Sequence, residues 1–264
     1  MRKRRRPVEV DYTALLMLTV EIGCRLQESG AEIYRVEEAV QRTFQAYGVE
    51  SGQAFAIPNC LIVSVVDDEG RPLTRMRRIS SHGNDITRME LVYDFCRKVC
   101  QSAPDVNGAL EELRALDAKT TTFPVWMQLL GYFLGAGAFA LFWGGSVRDG
   151  VAGGLCGVAI GLCLLLMGRL NANLFIKTIL ASFVSVFLAS VLVQLGAGEN
   201  INYITIGALM ALVPGVMFTS FMRAIMAGDL VAGLFKLVEA VLTGAAIALG
   251  ALIAMAAAAG LWGM

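Results

Sequence analysis

The side chains with most chemical capacity in this chain fall between residues 209 and 230, LMALVPGVMFTSFMRAIMAGDL. An apolar run breaks at Pro214-Gly215, gains hydroxyls at Thr219 and Ser220, and then carries opposite charges at Arg223 and Asp229. Pro214 removes a main-chain donor and crowds the preceding turn, and Gly215 lets the backbone leave helical dihedrals, so carbonyls near Leu209 and Met210 are expected to stand open. In a bilayer such groups are tolerated only where protein or a wet cavity satisfies them. A broken helix also directs the positive N-terminus of its second half, expected near Met217–Thr219, at an anionic group. The chemistry implied is non-covalent: binding of a carboxylate-bearing metabolite along a pathway of Pro214, Gly215, Thr219, Ser220, Arg223 and Asp229. A proline kink that only shapes a helix bundle is the competing explanation.

The neighbourhood favours the pathway. Arg223, Asp229, Lys236 and Glu239 fall within seventeen residues, and Lys177 lies in an earlier apolar segment. A charge near the centre of a membrane costs about 2.5–3.5 kcal/mol on insertion scales, so charges kept there need a reason. Lys236 and Glu239, three apart on one helix, are spaced to neutralise each other. With Lys177 they are the coupling or gating candidates.

Other chemistries find less support. His82, the single imidazole, sits beside Ser80 and Ser81 in a polar loop, without the oriented base and oxyanion site of a triad, which disfavours a membrane hydrolase. The N-terminal half contains neither the P-loop nor the GxGxxG pattern. One His among six Cys cannot complete a Cys2His2 zinc site, and Cys96 and Cys100, one helical turn apart, read as a buried pair of small apolar side chains. No enzymatic activity, cofactor or metal is expected. The absence of a disulfide framework fits a reducing cytosol for this half.

Two materials are joined near Phe123-Pro124. The chain is 56% hydrophobic with a mean hydropathy of +0.62, above an ordinary soluble domain. Residues 1–124 hold 17 of the 22 Lys and Arg and 18 of the 22 Asp and Glu. The opening MRKRRR is not a signal peptide, because the apolar stretch after it is short and charged residues interrupt it; it reads as a contact for anionic headgroups or a solvated tail, not a nucleic-acid arm. Residues 12–28 and 31–47 have helical apolar spacing, the second helix stopping at Gly48. AFAIPNCLIVSVV (54–66) and PLTRMRRIS (72–80), joined by Asp67–Gly70, predict a β-hairpin. Helices follow over about 86–101, with Thr87 and Glu90 at capping-box spacing, and about 105–118. The expected organisation is a cytosolic α+β domain over 1–122, followed by a transmembrane domain over 123–264.

A crossing helix needs about 20 apolar residues, and five stretches qualify: 125–143, 150–168, 174–196, 203–223 and 231–262. The fold class expected is an α-helical integral membrane protein. Arg169, Lys177, Arg223 and Lys236 lie near the connections that share the cytosolic side, against only Arg148 on the other, in accord with the positive-inside bias. Gly150, Gly153, Gly154, Gly157 and Gly161, with Gly131 and Gly135, predict close helix packing, either within the chain or with another subunit.

The segment LVPGVMFTSFMRAIMAGDLVAGLFKLVEAV (212–241) resembles the signature of the threonine/serine exporter family. SGAEIYRVEEAVQRTFQAYGVE (29–50) is similar to the soluble segment of the same family. Pro214, Gly215, Thr219, Arg223, Gly228, Asp229 and Glu239 match, as do Gly30, Ala31 and Glu32; Ser220 stands where an Asn is usual and Ala224 where an Asp is usual. The family has about ten spans when full length, so five imply its split form, in which a second small membrane protein supplies the rest. The resemblance implies a secondary transporter in the inner membrane of a bacterium, exporting threonine and serine or a dicarboxylate such as succinate. It implies as partners the bilayer, a small-molecule substrate, and a second subunit or further copies of the chain. The expectation is export driven by the proton gradient; the alternative is a membrane-anchored regulatory or scaffold protein whose cytosolic domain binds a partner.

Overall fold

The computed structural model describes residues 11–79, 83, 85–116, 123–170 and 172–262. The basic N-terminal run and His82 with Ser80 and Ser81 lie outside the described residues. The chain divides into two compact units: Met1–Thr121 with Ser220–Phe235, and Thr122–Thr219 with Lys236–Met264.

The first unit is built around α1 (Tyr12–Glu28), capped by Asp11, which accepts the Thr13 and Ala14 N–H groups. The sequence suggests an amphipathic helix, yet α1 is buried around most of its girth. Its polar side chains are buried with partners: Arg25 donates to the Leu113 carbonyl and pairs with Glu21 at 3.2 Å, and Gln27 donates to the carbonyls of Ile57 and Pro58. Packed on it are α2 (Ile33–Ala46), α3 (Ile86–Ser102), α4 (Val106–Leu116) and a three-stranded antiparallel sheet, β1 (Gln53–Ile57), β2 (Cys60–Val66) and β3 (Pro72–Arg78).

The expected hairpin therefore contains one strand more than the sequence suggested. Residues 54–66 fold back at Pro58-Asn59, so that Ile57 faces Cys60, because proline fixes φ and has no N–H for a ladder. Ala56, Leu61, Val63 and Val65 form the buried face. The β2–β3 turn is held by Asp67, which accepts N–H groups of Glu69 and Arg71. α3 starts at Ile86, as its apolar spacing suggested, but its cap is Asp85, accepting the Arg88 N–H at 2.9 Å, not the Thr87–Glu90 box.

The second unit is helical: α5 (Val125–Phe142), α6 (Val147–Arg169), α7 (Leu174–Gln194), α8 (Ile201–Leu209), and portions of α9 (Gly215–Met226) and α10 (Leu230–Trp262). Among the described residues, four helices, α5, α6, α7 and α10, are long and apolar enough to cross a membrane. The stretch 203–223 is not one such helix: α8 and α9 are short and separated by Met210–Pro214, where the proline ends the first helix.

The glycines of α6 are spent on α5. A Cβ at Gly150 would meet the Leu141 side chain, one at Gly154 the Phe133 ring and carbonyl, and one at Gly157 the Tyr132 carbonyl. Gly131 and Gly135 differ, with nothing within 4 Å of the position a Cβ would take. Close backbone approach of this kind supplies packing energy where lipid removes the hydrophobic drive.

Candidate functional site

In the broken segment, local turns consume some main-chain groups and leave others. Ala211 N–H reaches the Ala208 carbonyl, Leu212 N–H the Leu209 carbonyl at 2.9 Å, and Gly215 N–H the Val213 carbonyl at 2.8 Å. Among the described residues, no hydrogen bond reaches the carbonyls of Met210, Ala211 and Leu212. The open acceptors thus lie just beyond Leu209. α9 begins at Gly215, so among the described residues the N–H groups left unpaired at its start are those of Val216 and Met217, slightly earlier than the sequence suggested.

α8 is seated on α5 until it breaks. A Cβ on Gly145 would touch Tyr203, and one on Gly207 would lie 2.6 Å from the Ala140 nitrogen. Beyond Leu209 the helix ends while α5 continues toward its N-terminus. The uncovered face forms a groove of about 470 Å³ lined by Gln128, Gly131, Tyr132, Gly135, Phe139 and Ala211. The Gln128 amide nitrogen donates to the Phe123 carbonyl at 2.8 Å, which leaves its oxygen as an acceptor.

Pro214 is half-buried and Gly215 exposed at the start of α9. Thr219 turns its hydroxyl onto the Val216 carbonyl at 3.0 Å, and Ser220 is half-buried. Lys177 is half-buried in the first turn of α7; Lys236 is half-buried and Glu239 exposed on α10, where the Glu239 carbonyl accepts the Thr243 hydroxyl.

Arg223 and Asp229 belong to the first unit, and there the two motif segments meet. α1 ends with Gly30 at φ 91°, its N–H on the Gln27 carbonyl and the Ala31 N–H on the Leu26 carbonyl, the bond pair of a Schellman cap that glycine alone adopts freely. Ala31 is buried, and Glu32 opens α2. Glu32 does not cap its helix; one oxygen pairs with Arg223 of α9, and the other lies 3.2 Å from the Arg35 Nε, whose own hydrogen bond goes to the Tyr34 hydroxyl. Burial opposes ionisation of Glu32, but the Tyr34 hydroxyl and the charges of Arg223 and Arg35 outweigh it and hold the carboxyl below its ordinary range.

Asp229 caps α10 by accepting the Ala232 N–H at 3.0 Å, and Ala232 is buried in the core of this unit. Glu37 accepts the Ala56 N–H at 2.8 Å; burial chiefly, with the Asp229 charge adding to it, pushes its carboxyl upward.

Three features escaped the sequence reading. Asp149, nearly fully buried, receives the Ser146 N–H and hydroxyl and the N–H groups of Glu199 at 2.7 Å and Asn200 at 2.9 Å, tying two interhelix connections together. Its signal was the Ser-x-x-Asp spacing of 146–149. The Ser185 and Thr205 hydroxyls are buried without a hydrogen-bond partner among the described residues. Thr178, Ser182 and Ser185 at helical spacing could have marked that polar face of α7. Gln128 and Tyr132 carried no signal, because only the end of α8 exposes them.

A sequence profile described as "Putative threonine/serine exporter" matches residues 17–258. A "Probable threonine/serine exporter" of Mycobacterium tuberculosis is 22% identical over 91% of the chain and 46% of its own length. A "Pheromone-regulated membrane protein 10" of Eremothecium gossypii is 25% identical over 81% of the chain and 29% of its own length. A "Probable succinate transporter subunit YjjP" of Klebsiella aerogenes is 24% identical over 96% of each chain. The chain thus spans less than half the length of the first two relatives and nearly all of the third. No solved structure matches it. With the profile covering almost the whole sequence and the motif residues on both sides of the Glu32–Arg223 pair, the chain belongs to the threonine/serine exporter family.

Proposed function

We propose that this chain is a subunit of a secondary transporter that exports small carboxylate-bearing metabolites, threonine and serine or a dicarboxylate such as succinate, with the proton gradient as the energy source. The observation that carries the reading is the interruption of an apolar segment at Met210–Pro214, with unpaired carbonyls on one side and unpaired N–H groups on the other. Main-chain groups arranged in this way hold charged cargo at mid-membrane in transporters built from discontinuous helices.

In this reading α8 and α9 together make a fifth crossing. Of α9 only Gly215–Thr219 belongs to the helical unit, so this crossing runs through α8, the interruption and the first turn of α9, and the chain passes to the charged unit from Ser220. The membrane is the bacterial inner membrane, and the charged unit lies in the cytosol. The basic residues Arg169, Lys177 and Lys236 near the connections of that side, against Arg148 on the other, support that orientation. A second small membrane subunit, or further copies of this chain, completes the pathway, as the length of the Mycobacterium relative suggests.

Deleting the gene and feeding cells a threonine-containing or succinate-yielding peptide tests the reading. Intracellular threonine, serine or succinate should accumulate and efflux slow, with restoration by the wild-type gene. Unchanged efflux of all three refutes it.

A further inference from the structure

We infer that the groove between α5 and the end of α8 is the subsite that holds the ammonium group of an amino-acid cargo. The inference rests on the transport reading and narrows it, because a dicarboxylate has no group for this subsite.

The groove exists because α8 stops. α8 approaches the α5 backbone closely at Gly207, and where it unwinds after Leu209 a groove opens that Gln128, Gly131, Tyr132, Gly135 and Ala211 line. Its volume of about 470 Å³ lies within the range of small-ligand sites, about 300–1,000 Å³. No Lys or Arg lines it. What it offers is acceptors. Gln128 gives one amide N–H to the Phe123 carbonyl and keeps its oxygen as an acceptor, and Ala211, which lines the groove, has a carbonyl without a hydrogen-bond partner among the described residues. The Ala211 carbonyl follows the C-terminal, partially negative end of α8. Tyr132 and Phe139 bring aromatic side chains, a residue type that favours cations, to its lining.

An ammonium brings three donors and a positive charge to this arrangement. A carboxylate would meet the partially negative end of α8 and find as neutral donors only the second Gln128 N–H and the Tyr132 hydroxyl, with no cationic side chain, so the subsite disfavours a molecule with two anionic ends. The amino acid's own carboxylate is then left for the unpaired N–H groups of α9.

The test uses the full chain, expressed with its native operon neighbours and purified in mild detergent. Binding of L-threonine, of the amino alcohol threoninol and of succinate is measured, alongside threonine efflux from cells. The wild-type protein should bind threonine and, more weakly, threoninol, with succinate failing to displace either. Gly135→Leu fills the groove at a position where a Cβ meets nothing within 4 Å, so it should keep the wild-type melting temperature and lower threonine affinity at least tenfold. Gln128→Leu should lower it several-fold.

Wild-type threonine affinity in Gly135→Leu overturns the inference while leaving export standing, as does displacement by succinate as strong as by threonine. If Gly135→Leu instead strips away a co-purifying subunit, the groove is a helix-docking face and the inference also fails. A wild-type chain that neither binds nor exports threonine, serine or succinate removes the transport reading itself.

Discussion

Replacing Gly207 by alanine tests the geometry on which the site depends. The added Cβ would sit 2.6 Å from the Ala140 nitrogen and 2.7 Å from its Cα, where ordinary contact begins at 3.4 Å. These are backbone atoms and cannot rotate aside, so α8 and α5 must part by about 0.8 Å. Overpacking of this size costs about 1–3 kcal/mol. Alanine returns about 0.5–1 kcal/mol through its better helix propensity. Gly131→Ala is the matched control: it gains the same propensity and meets no neighbour within 4 Å. The two variants should therefore differ by about 1–3 kcal/mol, or roughly 2–12 °C in melting temperature at about 2–4 °C per kcal/mol, Gly207→Ala the lower. Thermal unfolding of the full chain in detergent, followed by tryptophan fluorescence, reads this directly. Equal melting temperatures, or a more stable Gly207→Ala, would show that α8 does not lie against α5, and the groove beside Ala211 would vanish with that contact.

Two further outcomes are expected. A double-mutant cycle with Glu32→Gln and Arg223→Gln should give a coupling of about 0.5–1 kcal/mol at low salt, shrinking as salt rises, since Arg223 is more than half exposed. Because the folded carboxyl titrates below its ordinary value of 4.5, that coupling is complete above pH 4.5 and is lost as pH falls through the depressed value; chemical denaturation from pH 7 to pH 3 measures it. Asp149→Ala leaves the N–H groups of Glu199 and Asn200 without their acceptor and should destabilise the helical unit by about 2–4 kcal/mol, seen as a lower melting temperature.

Sequence reasoning saw most where a residue type has a single local meaning. Gly30 and Gly48 ended helices as their positive φ requires, and Pro214-Gly215 broke the apolar run where it stands. It failed where the meaning came from elsewhere in the fold. Pro58-Asn59 was hidden in a β-branched run that looked continuous. The polar side chains of α1 suggested a solvated face, but Arg25 and Gln27 are buried by partners from α4 and β1, which local periodicity cannot foresee. The contact of Arg223 with Glu32 joins positions 191 apart, and no spacing rule reaches that far. The α6 glycines left two possible partners open, and only the register with α5 decides for the chain itself.

The charged unit borrows its last piece, Ser220–Phe235, from far downstream, and that piece supplies Ala232 to the core and Arg223 to Glu32. During synthesis this unit consequently stays unfinished until Phe235 has been made, and finishing it closes a loop of roughly a hundred residues, a long-range step that is slow compared with local helix formation. A fragment cut after the N-terminal segment would emerge with a vacant seat for Ala232 and an acid lacking its distant cation. Soluble fragments of this half should therefore be judged against the whole chain before any property is assigned to them.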